Sequence, residues 1–407
     1  MFLDISNTNA QAIYKVVVNG IDITSKVNSR LINMTVTDNR GIEADSVSLE
    51  LSDHDGLLDI PPKDAIVEVW IGWSTTGLVF KGKYLVKERI HSGTPDILSI
   101  RAISADLKAS LKRKREGSFH DKTIGEIISS LAARNGLNVV IQEKLASIKL
   151  AHIDQNESDA NLMTRIADEH DAIATIKNST LLFMAKGKAE TVSGQSLPEI
   201  EITRRQGDRH NFSDTTEGDD ISGVTCYYYD LKKALKQHVM VGNSSLNVRE
   251  VRHIFRDRET AFHKAQAEYN QIKRKATSFS YSFSRGRPEL IPEMTFKFTG
   301  LKAPIDDIIW LGTRVVHVLD GAGGFKTDVL LEVMMPDADD VSQLIDNERG
   351  DYTGIVAYYG KAKSPEKVTL GDQSNPKRLT YLYKNKITAS KAAEREFKRL
   401  QEEKNSN

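Results

Sequence analysis

The sequence predicts a mainly β protein with an α+β insertion, built around two antiparallel β-barrel domains. Two segments of the 407-residue chain alternate apolar and polar side chains with the period of two that a half-buried strand requires. Between these segments the apolar side chains recur with helical spacing. Several short alternating strands separated by Gly and Pro turns, with no helix between them, indicate a barrel or a sandwich. These observations divide the chain into residues 1–110, 111–240, 241–336 and 337–407.

The first β domain begins with the clearest local signal in the sequence. Asn19-Gly20 separates two β-rich runs, and a type I′ turn needs positive φ at both central residues, so a hairpin is predicted from Tyr14 to Thr24. The following segment SVSLELS alternates strictly, which predicts a strand with one buried face. Further strands are predicted in IVEVWIGW, LVFKGKYLVKERI and ILSIRAIS.

The insertion changes to helical periodicity. Thr123 and Glu126 have the spacing of a capping box, which predicts the start of a helix. A second helix is predicted near Ser158, and a hairpin of IATIKN and TLLFMAK follows it. From Gly187 to Gly223 the chain is polar and rich in Gly, Ser, Asp and Arg, so long exposed loops are predicted there.

The second β domain follows a strand predicted near Val224 to Tyr229 and a helix predicted to start around Asp257. Its predicted strands contain FSYSF, MTFKFT and DVLLEVM, in which apolar side chains alternate with polar ones. Residues 337–407 are predicted to form a C-terminal extension that ends in an amphipathic helix.

The two β domains repeat one order of features. In the first, an alternating strand precedes the turn at Pro61-Pro62, a strand, a long hydrophobic strand, a Gly-containing loop and a last strand. From Phe279 to Met335 the same order recurs, with Pro292 in the turn and GAGGF in the loop. We therefore expect the two domains to have the same strand order, although few residues are identical.

A second repeat involves two helices. The segment Ile254 to Ile272 aligns without gaps with Leu382 to Leu400, and both contain an apolar stripe at helical spacing. The alternative is that any two amphipathic helices rich in Ala and Lys align by composition alone. The repeat predicts a helical docking element that is used twice. The predicted partner interface on the second helix consists of Ala389, Ala393, Phe397 and Leu400.

The composition excludes several classes of protein. Lys plus Arg and Asp plus Glu both number 56, so no net charge recruits nucleic acid or an anionic membrane. The single cysteine, Cys226, cannot form an internal disulfide, which suits a reducing cytoplasm. The sequence contains no run of about 18 apolar residues and no export signal of the usual kind, so direct membrane insertion is not expected.

We predict no catalytic residue, no cofactor and no metal site. The GAGGF segment at Gly321 lies between two predicted strands and not at the start of a helix, so it cannot cradle a phosphate. The acidic and histidine side chains of residues 168–171 are adjacent in a helix and point apart. Residues 53–56 lack the later ligands of a calcium loop. Glu43 and Asp45 could be paired as the carboxylates of a glycosidase, but sequence spacing does not define their separation in space.

Nucleic-acid binding is also disfavoured. The one dense basic run, Lys112 to Arg115, is short and would neutralise few phosphates. The three tryptophans, Trp70, Trp73 and Trp310, lie in predicted strands, where core packing is commoner than base stacking.

Four segments of the sequence resemble the phage late control protein D family. They are VNGIDIT, LELSDHDGLL, QNESDANLMTRIADEHDA and the long segment RGRPELIPEMTFKFTGLKAPIDDIIWLGTRVVHVLDGAGGFKTDVLLEV. The resemblance runs from near Tyr14 to the C-terminal helix and so covers nearly the whole chain.

The resemblance implies a structural hub in the baseplate of a contractile phage tail, located in the virion and assembled in the host cytoplasm. The two domains would then be tube-type barrels, and three copies would form a ring that adapts the six-fold tail tube to the three-fold central spike. The implied partners are a homotrimer, the tail tube protein, the central spike protein, the tape measure protein and other baseplate proteins. The family is similar to the first part of type VI secretion spike proteins, but this sequence lacks their needle, so a separate protein would form it.

Two alternatives of other classes remain open from the sequence. A peptidoglycan hydrolase carried on the hub would need a pair of carboxylates in a cleft. A DNA-binding regulator of late genes would need a recognition helix and a basic face. For the hub, removal of residues 388–407 is expected to leave both barrels folded and to weaken assembly, because chain ends usually tolerate truncation.

Overall fold

The structure is a computed structural model of the chain. It describes residues 10–405 except 106–108, 178, 188, 190–194, 196, 216–219, 231–233, 243–246, 337–351, 363 and 375. Parts of the predicted polar loops and of the predicted C-terminal extension therefore lie outside the described residues. Within the described residues the predicted class is confirmed, because strands dominate and an α+β module interrupts them.

The first β unit contains seven strands and one short helix. Its antiparallel sheet has the order β3-β4-β7-β6-β5-β1-β2. The predicted hairpin is confirmed, since Asn19 and Gly20 have φ of 48° and 82° and join β1 to β2. The elements are β1 Ala12–Val18, β2 Ile21–Asp22, α1 Thr24–Asn28, β3 Leu31–Asn39, β4 Ser46–Ser52, β5 Ile66–Trp73, β6 Gly77–Ser92 and β7 Ile97–Ser104.

The inserted module packs helices on a small sheet. The capping box is confirmed, because Thr123 accepts from the Glu126 N–H and the Glu126 carboxylate accepts from the Thr123 N–H. Ser158 caps the second helix. The sheet has the order β11-β12-β9, and β8 and β10 form a separate two-stranded ribbon. The elements are α2 Ala109–Lys112, β8 Lys114–Thr123, α3 Ile124–Arg134, β9 Asn138–Ile141, α4 Glu143–Ala146, β10 Lys149–Ser158, α5 Asp159–Glu169, β11 Ala172–Lys177 and β12 Thr180–Ala185.

The second β unit has the strand order β14-β18-β21-β20-β19-β13 and its own aromatic core. Its strand β20 also pairs with β3, so the two β units share one 13-stranded sheet instead of forming separate sheets. The elements are β13 Glu199–Thr203, a 3-10 turn Arg204–Gln206, β14 Gly207–Asp214, β18 Thr277–Phe283, β19 Thr295–Thr299, α7 Ala303–Asp306, β20 Trp310–Asp320 and β21 Phe325–Val333.

The predicted polar loops from Gly187 to Gly223 are wrong in part. The segment contains β13 and β14, which pair with β19 and β18. Both are edge strands among the described residues. Strand β14 exposes most of its side chains on both faces, so hydrophobic periodicity could not reveal it. Strand β13 buries Ile202 in the core of the second β unit, but its alternation covers only five residues within a polar stretch.

The predicted repeat of strand order is confirmed by the pairing. The four strands recognised in the sequence have the order β4-β7-β6-β5 in the first unit and β18-β21-β20-β19 in the second. The correspondence extends to six strands, since β3 flanks β4 as β14 flanks β18, and β1 flanks β5 as β13 flanks β19. One difference remains: β1 is antiparallel to β5, whereas β13 is parallel to β19.

The helical repeat is one part of a larger repeat. Each helix follows a three-stranded sheet in which the first strand is central, the second is antiparallel to it and the third is parallel. The shared topology rules against an alignment by composition alone. The first unit comprises β15 Ile221–Asp230, β16 Leu235–Gly242, β17 Asn247–Phe255 and α6 Arg258–Ala276; the second comprises β22 Gly354–Lys361, β23 Ser364–Gly371, β24 Pro376–Tyr383 and α8 Lys386–Asn405.

The apolar stripe of α8, which was predicted as a partner interface, packs inside the chain. Ala389, Ala393 and Leu400 are buried in a core cluster of the same chain, and Phe397 packs beside them. Helix α8 covers its own three-stranded sheet and reaches the aromatic core of the second β unit. Within this chain the stripe is therefore not a free surface, because strands β22–β24 cover it. Those strands were not predicted from the sequence.

One glycine in each repeated unit lets a helix aromatic approach the sheet. A Cβ placed at Gly242 would lie 2.8 Å from the Tyr269 ring, and one at Gly371 would lie 2.5 Å from the Phe397 ring. Tyr269 and Phe397 occupy matching positions in the aligned helices.

We expect Gly371→Ala to lower the free energy of unfolding by about 2 to 4 kcal/mol, because the methyl group would strain a residue at φ +75° and also meet the Phe397 ring. Gly360→Ala is the matched control. Gly360 lies in the same sheet at φ +92° with open space around it, so only the backbone cost of about 1 kcal/mol remains. Urea denaturation measures both, and equal losses would contradict the packing argument.

Candidate functional site: the junction of the β units

The two β units are joined by antiparallel pairing of β20 with β3. Arg314 lies opposite Asn39 at one end of this contact, and Asp320 lies opposite Asn33 at the other. The first part of β20 pairs with β19 instead, so the strand leaves its own unit and enters the neighbouring one. A ladder of backbone hydrogen bonds therefore fixes how the two units are placed relative to each other.

Arg40, directly after β3, is the central cation of this junction. Its guanidinium forms a close ion pair with Glu293 and lies 2.6 Å from the Glu332 carboxylate. It also donates to the Gly312 carbonyl at 3.3 Å, and its backbone N–H donates to the Thr313 carbonyl at 3.2 Å. Both carboxylates belong to the second β unit, so a residue of the first unit neutralises two acids of the second.

Burial sets the protonation of this cluster. Burial raises the pKa of Glu293, while the charge of Arg40 opposes that rise. Burial alone would lower the pKa of Arg40, but Glu293 and Glu332 raise it above its ordinary value, so the guanidinium stays charged. Removal of the Arg40 charge would therefore leave a buried carboxyl group that favours its neutral form.

Arg274 on α6 connects these charged residues to the inserted module and to the first repeated sheet-and-helix unit. It forms a close ion pair with Asp171, donates to the second oxygen of that carboxylate at 3.1 Å, and lies 3.9 Å from Glu332. Asn270 donates to Asp171 at 3.0 Å. Asp171 belongs to the inserted module, so one polar network of side chains connects both β units, the insertion and the first repeated unit. We name this network the junction cluster: Arg40, Asp171, Arg274, Glu293 and Glu332.

A second set of contacts lies across the same junction. The Lys81 ammonium is 2.8 Å from Asp38 and donates to the carbonyls of Pro288 and Leu290 at 3.3 and 3.4 Å. The Trp73 indole donates to the Gly286 carbonyl at 2.8 Å. Lys81 and Trp73 belong to the first β unit and the three carbonyls belong to the second, so these hydrogen bonds also resist rotation of one unit against the other.

A cavity of about 660 Å³ lies between the loop after β3 and helix α5. Glu43 lines it, but Asp45, the other carboxylate considered for a glycosidase pair, is buried in a close ion pair with Lys177 and accepts from the Asn39 N–H at 2.9 Å. The structure therefore engages Asp45 in holding the insertion to the first β unit.

The other residues examined in the sequence have structural contacts. Asp168 pairs with Lys186 at 3.5 Å and burial lowers the pKa of His170 to about 4, while Asp171 belongs to the junction cluster. Arg115, at the end of the basic run, pairs with buried Asp159 at 3.2 Å. Within the described residues, no group of three metal-ligating side chains is gathered, and no helix is long and apolar enough to span a membrane.

Sequence reasoning did not find the junction cluster. Asp171 was considered only as one of the acidic and histidine residues 168–171, and more than 250 positions separate Arg40 from Glu293. No motif joins them, because the pairing of β3 with β20 brings them together.

Comparisons with known proteins agree with this architecture. The model of the family described as "Phage tail baseplate hub (GPD)" matches residues 80–322. The "Probable baseplate hub protein" of Escherichia phage 186 is 36% identical over 381 residues, which is 83% of this chain and 97% of the relative. The protein of the same description from Escherichia phage P2 is 36% identical over 367 residues, which is 80% of this chain and 94% of the relative.

Two solved structures share the fold. The 43 kDa tail protein of prophage MuSo2 from Shewanella oneidensis has a TM-score of 0.59 at 14% identity and covers 78% of this chain and 97% of its own. A tail protein from Neisseria meningitidis MC58 has a TM-score of 0.59 at 15% identity and covers 79% and 96%. The resemblance seen in the sequence is confirmed by the family match. The chain belongs to the phage tail baseplate hub (GPD) family and is a structural hub protein of a contractile phage tail.

Proposed function

We propose that three copies of this chain form a ring that adapts the six-fold tail tube to the three-fold central spike. The observation that carries the proposal is the repeat of one six-strand order in the two β units of each chain. Three chains with two similar units each present six similar units to a six-fold partner, while the whole ring keeps three-fold symmetry. The junction cluster holds the two units of one chain in a fixed relation.

The proposed domain roles follow from the same repeat. The two β units form the ring, with the tail tube protein on one side and the central spike protein on the other. The inserted module and the two repeated sheet-and-helix units lie outside the ring, where they are available to the tape measure protein and to other baseplate proteins. Assembly takes place in the cytoplasm of the bacterial host.

The proposed action is mechanical and not catalytic. The engagement of Asp45 with Lys177 supports this, because a glycosidase carboxylate must be open to its substrate. We expect no cleared zone from this chain on a peptidoglycan zymogram. A cleared zone that the unchanged chain produces and a substituted variant does not would contradict the proposed absence of catalysis. Retention on heparin at physiological salt would contradict the proposed absence of nucleic-acid binding.

We expect native mass spectrometry of the full chain to show a species of three times the 45.4 kDa subunit, with ring-shaped particles in negative stain. The measurement is made at high micromolar concentration, alone and with the central spike protein of the same tail. A monodisperse monomer under both conditions would overturn the homotrimer.

A further inference from the structure

The junction inside the chain provides a template for a contact between chains. Strand β20 corresponds to β6, and β3 corresponds to β14, in both chain order and sheet order. The irregularities match as well, because each pair carries a bulge at the corresponding position. The bulges lie between Gly312 and Arg314 in β20, Val86 and Glu88 in β6, Leu31 and Asn33 in β3, and Gly207 and Arg209 in β14. The two pairs of matching bulges align the strands residue by residue.

In the template, β20 pairs with β3, but the corresponding strands β6 and β14 have open edges. Strand β6 pairs with β5 only as far as Leu85, and no described strand lies beside residues 87–92 on that side. Strand β14 pairs only with β18 among the described strands. An open edge presents unpaired backbone donors and acceptors to any strand that can add to it.

Side chains that are buried where β20 pairs with β3 have exposed counterparts on the open edges of β6 and β14. Val315, His317, Thr37 and Asp38 are buried where β20 meets β3. Their counterparts Arg89, His91, Ser213 and Asp214 are exposed or half-exposed. Ile90, between the first two counterparts, is 40% exposed on the open edge.

We propose that the open half of β6 pairs antiparallel with β14 of a second copy of this chain. The template fixes the register, since Val316 lies opposite Thr37 in β20 and β3. The corresponding pairs are Arg89 opposite Asp214, Ile90 opposite Ser213, His91 opposite Phe212, and Ser92 opposite Asn211. This contact rests on the proposed homotrimer and names the surfaces that form it.

The charges at the two edges are complementary. Arg89 lies opposite Asp214 in this register, and opposite charges directly across a ladder stabilise the pair. The template has the same acid in the same place, because Asp214 corresponds to Asp38 and His91 corresponds to His317, which lies 4.0 Å from Asp38. Arg89 currently donates to the Pro61 carbonyl at 2.8 Å, and Asp214 accepts from the Thr277 hydroxyl at 2.7 Å, so both side chains are already held near their edges.

The contact is heterologous, because one edge meets a different edge of the next copy. Such contacts close into rings when the rotation between copies divides a full turn, and otherwise continue as filaments. Closure would leave neither β6 nor β14 open, which removes two edges that invite aggregation.

Cysteine cross-linking tests the register. The Arg40 N–H donates to the Thr313 carbonyl, and the Gly321 N–H donates to the Ile32 carbonyl. These two pairs are therefore hydrogen-bonded, and between them hydrogen-bonded and non-hydrogen-bonded pairs alternate along the ladder. Val316 and Thr37 therefore form a non-hydrogen-bonded pair, in which the Cα atoms are closest and a disulfide fits best. The corresponding variant carries Ile90→Cys and Ser213→Cys in the full chain, with buried Cys226 retained.

Under mild oxidation we expect most of this variant to run as a covalent trimer on non-reducing gels. A mixture of the two single variants should give covalent dimers only. The control carries Ile90→Cys with Asn211→Cys, which shifts one cysteine along the same face by two residues. Its Cα atoms would be about 8 Å apart, too far for a disulfide, so we expect at least a tenfold lower yield.

The outcomes separate this inference from the proposed ring. A trimer by native mass without cross-linking of Ile90→Cys with Ser213→Cys would overturn the edge pairing and leave the homotrimer standing. Equal cross-linking of the control would overturn the register. A ladder of species beyond the trimer would support the edge pairing and overturn ring closure. A monomer by native mass, with and without the spike protein, would overturn both proposals.

Discussion

Replacing Arg40 by glutamine is expected to lower the free energy of unfolding by about 3 to 5 kcal/mol. The substitution removes the cation that neutralises Glu293 and Glu332, and Glu293 would remain buried without a counter-ion. Breaking one partner of a buried ion pair costs more than the pair contributes, because the remaining charge stays desolvated. Urea denaturation followed by circular dichroism measures the loss.

The controls use a pair at the surface and a compensating change. Arg101→Gln breaks an ion pair with Glu88 in which both side chains are about half exposed or more, so a loss under about 1 kcal/mol is expected. The double variant Arg40→Gln with Glu293→Gln should recover part of the loss, because no buried charge then lacks a partner at residue 293. If Arg40→Gln costs no more than Arg101→Gln, the junction cluster does not hold the β units together.

The loss of unfolding free energy caused by Arg40→Gln should depend on pH. The pKa of Glu293 is already raised above its ordinary value of 4.5, chiefly by burial, and loss of the Arg40 charge would raise it further. A carboxyl group with a raised pKa in the folded state binds its proton more tightly there than in the unfolded chain, so its contribution to stability grows as the pH falls through the folded pKa. The defect should therefore be smaller at pH 5 than at pH 7.5. A defect that grows on acidification would contradict this assignment.

Removing residues 386–407 is expected to destabilise the second β unit and not only to weaken assembly. Helix α8 buries Ala389, Ala393 and Leu400 in the cluster that also contains the aromatic core of that unit. Full burial of a large apolar side chain contributes about 1.5 to 3 kcal/mol, so the loss of buried Leu400 alone costs about that much, and the loss of half-buried Phe397 adds to it. We expect aggregation on expression, or an unfolding midpoint well below that of the full chain.

The matched control removes residues 401–407 and retains the whole stripe through Leu400. This chain should fold with nearly unchanged stability, because Gln401 and Glu402 are exposed. A point variant avoids the loss of the whole helix: Ala393→Glu places a charge in the core and should reproduce much of the destabilisation. Equal stability of the two truncated chains would show that α8 is dispensable and would restore the expectation from the sequence.

Elements with strong local signals were predicted well from the sequence. The Asn19-Gly20 hairpin, the capping box at Thr123 and the alternating strand Ser46–Ser52 depend on turn geometry and periodicity, which neighbouring residues determine. The repeated strand order was also visible, because Pro and Gly mark turns at similar places in both β domains. The family resemblance then indicated the hub function.

Two edge strands with weak sequence signals were missed. Strand β14 exposes polar side chains on both faces, and β13 alternates over only five residues within a polar stretch, so both were predicted as loops. The sheet under α8 was missed as well, and the helix stripe was assigned to a partner for that reason. An amphipathic stripe shows that a helix is covered, but it does not identify the surface that covers it.

By itself, the sequence determined the class of the fold, the order of most elements, the two internal repeats and the family. Only the tertiary structure decided that β20 joins β3, that Arg40 meets Glu293 and Glu332, and that α8 covers its own chain. The physical reason is how far apart the interacting residues lie along the chain. Turns, caps and alternation arise from residues a few positions apart. The pairing of β20 with β3 and the ion pairs of Arg40 join residues more than 250 positions apart, which only the folded sheet brings within hydrogen-bonding distance.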